Sequence, residues 1–307
     1  MIRQRLARIS DLDAFGCPGK KAMISSNLFA GYRLQLPRDT VDVWLVPTRQ
    51  FPHSAMLINQ YRELLSATEL ERIARFHFPW RRHVGLVTRA ALRLILSRYT
   101  QRNPRDWGFV RTSHGKPAIA EHDAGAELRF SISHCDSLIG LAVTTTHDVG
   151  VDIEDMTRVD VGNIVAIARR FFTPSEARDV ETCAPVLRRR RFLECWTLKE
   201  AYLKALGTGL SAPLTQASFA WQNGEHLDVT FDLAQSERTA SWCFLLAIVP
   251  PERLVATAVR VAAGRPLGVR FFAAIPLVRE ARLADLVWEP LGRRFVLPAS
   301  PEDALSP

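Results

Sequence analysis

Apolar and polar positions alternate through residues 41–46, with Val41, Val43 and Leu45 on one face. A period of two predicts a strand. Ser66 stands three residues before Glu69, a capping-box spacing that starts a helix. After Pro79 the period changes. Val84, Val87, Ala91, Leu92, Ile95 and Leu96 recur at helical spacing and predict a long helix over residues 81–99. Residues 107–110, 128–134 and 138–144 read as strands. The last of these runs through a polar turn at 145–148 into a further strand at 149–155, and the two are expected to pair as a hairpin. Residues 160–171 read as a helix. Thr173, Pro174 and Glu176 then supply an N-cap, a first-turn proline and a capping box for the next one. Helical spacing returns over 192–204 and ends at Gly207. Four strand-like runs follow, at 217–221, 227–231, 241–249 and 254–261. The order strand, helices, strands thus occurs twice, which marks a candidate internal repeat in an α+β chain. Residues 1–39 are polar and weakly periodic. The tail beyond 262, punctuated by Pro290, Pro298, Pro301 and Pro307, shows no pattern, and its end is expected to be loose.

Two of these elements carry chemistry. In the strand at 149–155, Asp152 and Glu154 point to the same face because strand side chains repeat every two residues. Two like charges side by side in a half-buried sheet require a cation. In the helix at 192–204, Glu200 and Lys204 lie one turn apart on one face, with Thr197 on the preceding turn. Three carboxylates and a lysine brought together from strand and helix would make a magnesium site beside a phosphate site.

The sequence Gly150-Val151-Asp152-Ile153-Glu154, followed some forty residues later by Trp196-Thr197-Leu198-Lys199-Glu200-Ala201-Tyr202-Leu203-Lys204, resembles the signature of the 4′-phosphopantetheinyl transferases. Both halves of that motif match in residue type and in separation. The resemblance implies transfer of the phosphopantetheine arm of coenzyme A to a serine of a carrier protein, with release of 3′,5′-ADP. It implies magnesium held by Asp152, Glu154 and Glu200. Lys204 would neutralise the phosphate, and Lys199 is expected to assist. The base would be Glu200 or a metal-bound water. The coenzyme A contacts carried over are Arg82, with Arg81 as the alternative register, Lys116 in a Gly-Lys-Pro turn, and the pair Ser133-His134. Ser131 replaces the asparagine usual in the family's Phe-Asn-x-Ser-His. Phe172-Thr173-Pro174-Ser175-Glu176 is also similar to a family motif and is read as structural.

Length and the upstream Gly-Lys-Pro and Ser-His place the chain with the longer, surfactin-synthetase-activating type. The expected fold is α+β: two similar halves form a pseudo-dimer with the active site in the cleft between them. The resemblance covers about residues 41–262. It divides the chain into an extension (1–39), a coenzyme A-contacting half (40–146), a core half with the metal site (147–262) and a second extension (263–307).

Composition narrows the partners. The net charge is +8, and only five of the forty basic residues are lysines: Lys20, Lys21, Lys116, Lys199 and Lys204. A basic surface favours anionic partners, here an acidic carrier protein and a polyphosphate cofactor. The run Arg188–Arg191, ahead of the catalytic helix, is a candidate carrier contact. Without a zinc finger, RNP sequence or clear helix-turn-helix pattern, nucleic acid is not expected as a partner. No apolar run is long enough for a membrane. The five cysteines are scattered and form no C-x-x-C pair, so they are read as reduced thiols of a cytoplasmic, monomeric protein. Phe15–Lys21 bears a faint likeness to a P-loop and fails as one, with Ala14 where the first glycine belongs and Lys21 where Ser or Thr is needed. The alternatives are a catalytically inactive relative that binds coenzyme A or a carrier, and a basic nucleic-acid-binding module. The intact carboxylates and lysine argue against the first.

Overall fold

The computed structural model describes residues 33–48, 54–120, 128–157, 163–222, 226–231, 242–262, 265–288, 291–297 and 300–305. Most of the extension at 1–39, with its P-loop-like stretch and Cys17, lies outside the described residues. Residues from Arg33 onward form one compact unit.

The first half opens with strand β1 (Thr40–Pro47), then helices α1 (Ala55–Glu63), α2 (Ala67–Ala74) and α3 (Pro79–Ser97). A small hairpin of β2 (Phe109–Arg111) and β3 (Pro117–Ile119) follows, then β4 (Arg129–His134) and β5 (Leu138–Thr144). The second half repeats the plan. Strand β6 (Val149–Asp155) leads to helices α4 (Ile164–Phe171), α5 (Pro174–Thr182) and α6 (Pro185–Leu206). Strands β7 (Ala217–Gln222), β8 (His226–Phe231), β9 (Trp242–Val249) and β10 (Arg253–Arg260) complete it. The chain is therefore α+β, with two halves of similar element order.

The expected capping boxes start α2 and α5: the Ser66 and Thr173 side chains accept from the backbone N–H of Glu69 and Glu176, whose carboxylates reach back. Helix α1 carries no strong apolar stripe in the sequence; Ser54 caps it through the Leu57 N–H. Helix α6 begins at Pro185, so Arg188 to Arg191 lie inside its first turns, not ahead of it.

Strands β5 and β6 do not pair as the hairpin expected from the sequence. Strand β5 lies between β1 and β4 in one sheet, while β6 is an edge strand of the other, paired antiparallel with β10. The turn at 145–148 passes the chain from one sheet to the next. The described part of the tail is also ordered into strands and a short helix. Strand β11 (Leu267–Ile275) runs parallel to β1, and β12 (Arg279–Trp288) extends that sheet. Strand β13 (Leu291–Val296) inserts between β9 and β8 of the second sheet. The short helix α7 (Pro301–Ala304) follows, and Leu305 is buried. A buried network fastens β11 to β1. Arg270 grips Asp42 with two bonds of 2.6 Å, and the Tyr99 hydroxyl donates to the same carboxylate at 2.7 Å.

The alternation of β6 divides its side chains between two environments. Val149, Val151 and Ile153 enter a core shared with β1, β5, β9 and β11. Gly150, Asp152 and Glu154 occupy the opposite face, towards α6.

Candidate active site

Gly150 sets the distance between β6 and α6. A Cβ at this position would lie 1.9 Å from the Ala201 carbonyl oxygen and 2.5 Å from the Ala205 amide nitrogen. Strand backbone and helix backbone are therefore in direct contact, through a glycine on one side and two alanines a turn apart on the other. That approach brings Lys204 onto Asp152, with Nζ 2.5 Å from Oδ1. Ser133, near the end of β4 in the first half, completes the group: its hydroxyl donates to Asp152 Oδ1 at 2.9 Å and accepts from Lys204 Nζ at 2.8 Å. Ser131 joins the halves as well, accepting from the Val151 N–H at 3.0 Å. The serine that replaces asparagine thus holds β4 against β6.

Glu154 and Glu200 crowd the same place. Burial pushes the Glu154 carboxyl up to about 7, aided by the negative charges of Asp152 and Glu200 and opposed by Lys204 and a Trp196 hydrogen bond. Burial, then Asp152, also raises Glu200. Asp152 Oδ2 is buried with no hydrogen-bond partner. Two carboxyls raised by burial and by the charge of Asp152, beside an orphaned carboxylate oxygen, describe a position short of positive charge. Among the described residues no group of three or more His, Cys, Asp or Glu side chains is placed to hold a metal ion by itself. Magnesium does not require one, because it takes one or two carboxylates together with substrate phosphates and water. The donor set fits that ion.

A second group of cations adjoins Ser133. The pKa of His134 is lowered, first by desolvation and then by the charges of Lys204, Arg89 and Arg81. Burial lowers Arg89, and its like-charged neighbours Arg111 and Arg72 add to the effect. The α3 arginines whose charges act on His134 are Arg89 and Arg81. Arg82 is exposed and donates to the Phe76 carbonyl oxygen at 3.3 Å. Arg89 lies two turns beyond the expected register, and its half-buried position was the signal that periodicity could have supplied: it falls beside the apolar stripe of α3. Arg93, also on that helix, is structural, bound to Glu69 and to the Trp107 carbonyl.

Two predicted lysines have other partners. Lys116 directs Nζ to the carbonyls of Val149 (3.1 Å) and Ala205 (3.2 Å), bracing the first half against the end of α6. It borders a cleft of about 510 Å³ lined by His114, Arg129, Phe130, Asp148 and Gly207 among others. Lys199 is not part of the Asp152 cluster. It is 1% exposed, ion-paired with Glu176 at 2.8 Å and bonded to the carbonyls of Leu214 and Ala217. The physical reason is helix geometry: adjacent residues point about 100° apart, so Glu200 and Lys199 cannot share a face. Glu176 in turn accepts from the Phe219 N–H at 2.8 Å and from Cys195 Sγ.

The arginine run is already engaged within the chain. Arg188 donates to Val180 and Glu181 carbonyls, Arg189 to that of Met156, Arg190 pairs with Glu194, and Arg191 with Asp179. The described cysteines, Cys135, Cys183, Cys195 and Cys243, are free thiols.

Comparison with known proteins supplies two family matches. Residues 148–259 match the 4′-phosphopantetheinyl transferase superfamily, and residues 52–146 match the 4′-phosphopantetheinyl transferase N-terminal family. The chain is 34% identical over 223 residues to the 4′-phosphopantetheinyl transferase HetI of Nostoc sp., covering 73% of this chain and 88% of that one. A phosphopantetheinyl transferase of Thraustochytrium sp. is 30% identical over 73% of this chain and 80% of its own. The 4′-phosphopantetheinyl transferase Sfp of Bacillus subtilis is 27% identical over 52% and 67%.

Proposed function

The chain belongs to the 4′-phosphopantetheinyl transferase superfamily, and from that premise we propose how its own residues perform the reaction. It transfers the phosphopantetheine group of coenzyme A to a carrier-protein serine. The observation that carries the site assignment is the Lys204–Asp152–Ser133 cluster, assembled from both halves, with Glu154 and Glu200 crowded beside it.

Asp152, Glu154 and Glu200 would hold a magnesium ion. When bound, it would supply the charge neutralisation that a diphosphate needs in this acidic position. The carrier serine oxygen forms a bond to the phosphorus next to the pantetheine, and the bond from that phosphorus to the bridging oxygen of the diphosphate breaks. Such a transfer depends on in-line positioning and on electrostatics more than on covalent help from the protein. Glu200, whose raised pKa brings it nearer neutrality, takes the serine proton. Lys204 meets the charge that moves to the leaving 3′,5′-ADP oxygen. Ser133 and His134 hold phosphate oxygens, with Arg89 beside them. The cleft bordered by Lys116 accommodates the nucleotide part, while Lys116 itself keeps the two halves in register. Lys199 has a structural role. The acceptor is an acidic carrier protein, and the enzyme acts as a cytoplasmic monomer. Among the described residues no helix is long and apolar enough to cross a membrane.

The test is incubation with coenzyme A, magnesium and a panel of apo-carriers, followed by the mass of each carrier. Asp152→Ala and Glu200→Ala should fold and lose transfer by on the order of 10²-fold or more. Near-normal transfer by either variant would remove the metal assignment.

A further inference from the structure

Nine consecutive residues, 74 to 82, are exposed where α2 passes into α3. They include three large aromatic side chains: Phe76 is 38% exposed, Phe78 48% and Trp80 45%. The rings of Phe78 and Trp80 stack with centroids 6.4 Å apart and planes 20° from parallel. His77 meets Phe78 edge-on at 5.0 Å. The Arg81 guanidinium lies over both rings, 5.8 Å from Phe78 and 5.1 Å from Trp80. Stacked aromatics left in water, with a guanidinium already in place over them, mark a surface made to be covered.

The charge of the segment says what covers it. It contains Arg75, Arg81 and Arg82 and no carboxylate, and among the described residues none of the three is ion-paired. The run Arg188 to Arg191 offers the opposite case, because each of its members already holds a partner in its own chain. The apolar Val186 and Leu187 beside that run are exposed too, at 86% and 51%. Val186, however, lies fourteen residues before Glu200 on α6, roughly 21 Å along the helix. The aromatic segment opens α3, the helix that also carries Arg89. Arg81 is near enough to His134 to act on its charge, and His134 follows Ser133 of the Asp152 cluster.

We propose that residues 74–82 form a docking surface for the carrier protein, with its acidic side chains meeting Arg75, Arg81 and Arg82 and its apolar side chains covering Phe78 and Trp80. This rests on the transferase reading above. Tryptophan and arginine are the residues that most often carry binding energy at such contacts, and unneutralised arginines at the rim steer an acidic partner to the opening where its serine must arrive.

The experiment compares wild type, Trp80→Ala, Phe78→Ala and Arg75→Glu in steady-state transfer from coenzyme A to an apo-acyl carrier protein. Both substrates are varied, and thermal melting verifies the fold. The expected result is a carrier KM at least tenfold higher in each variant, with kcat at saturating carrier and the coenzyme A KM within twofold of wild type. The salt dependence of kcat/KM for the carrier should flatten in Arg75→Glu. An unchanged carrier KM overturns the proposal, as does a rise in the coenzyme A KM instead, which would make the rings a nucleotide platform. Wild type that loads none of a panel of carriers would end the transferase reading and the docking surface with it. An active wild type with indifferent variants would end the docking surface alone.

Discussion

Gly150→Ala is the sharpest probe of how the site is assembled. The added methyl group meets helix backbone, the Ala201 carbonyl oxygen at 1.9 Å and the Ala205 amide nitrogen at 2.5 Å. Carbon atoms do not approach an oxygen more closely than about 3.0 Å in folded proteins, so the helix must retreat from the strand by at least about 1.1 Å. No side-chain rotation relieves the clash, and overpacking of this kind costs roughly 1–3 kcal/mol. The functional cost is larger. Glu200 precedes Ala201 and Lys204 precedes Ala205, so both reactive side chains move with the displaced backbone. The Lys204–Asp152 separation of 2.5 Å would open beyond hydrogen-bond range. A misplacement of about 1 Å lowers catalysis by on the order of 10²-fold. The assay is kcat/KM for carrier loading beside a melting curve for each variant. Gly140→Ala is the control. Its methyl would meet the Ile153 side-chain end, Cδ1 at 2.5 Å, which can rotate away. It should lose some stability and keep most activity. Gly150→Ala with kcat/KM within threefold of wild type and an unchanged melting temperature would refute the reasoning.

Lys199→Ala and Lys204→Ala should separate stability from catalysis. Removing Lys199 leaves Glu176 buried without its counter-ion, a loss of about 3–5 kcal/mol and roughly 10 °C in melting temperature, whereas Lys204, whose side chain is 29% exposed, should cost less stability on replacement by Ala and abolish transfer; an equal or larger drop in melting temperature for Lys204→Ala would contradict the assignment. For pH, Glu154 keeps its proton up to about 7 in the folded protein, above the ordinary glutamate value of 4.5. The folded state then binds more protons between those values. The stability from this group is full below pH 4.5 and is lost as pH rises through 7, by at most about 3 kcal/mol after allowing for partial solvent access. Melting of metal-free protein should therefore show a downward slope across that window that Glu154→Gln flattens. Magnesium chloride at pH 8 should raise the wild-type melting temperature more than that of the variant, and parallel behaviour of the two proteins would count against the shift.

The sequence by itself determined the reactive strand and helix. The alternation through β6 put Gly150, Asp152 and Glu154 on one face, and the four-residue spacing on α6 put Glu200 with Lys204, because both periods are local properties of the backbone. Capping chemistry started α2 and α5 at the expected serine and threonine for the same reason. What tertiary structure decided was partnership. The pairing of β5 and β6 with different sheets, the insertion of β13 between β9 and β8, and the anchoring of β11 through Arg270 and Asp42 depend on contacts far apart in the chain, which no local period records. The same holds for charge. Lys199 and Lys204 look alike in a motif, and Arg188 to Arg191 look like a free basic face. Only the folded chain shows that Glu176 takes the first lysine, that neighbouring carbonyls and carboxylates take the arginines, and that Arg75, Arg81 and Arg82 hold no ion pair among the described residues. A side chain's partner is fixed by which surfaces the fold brings together, and sequence spacing does not contain that information.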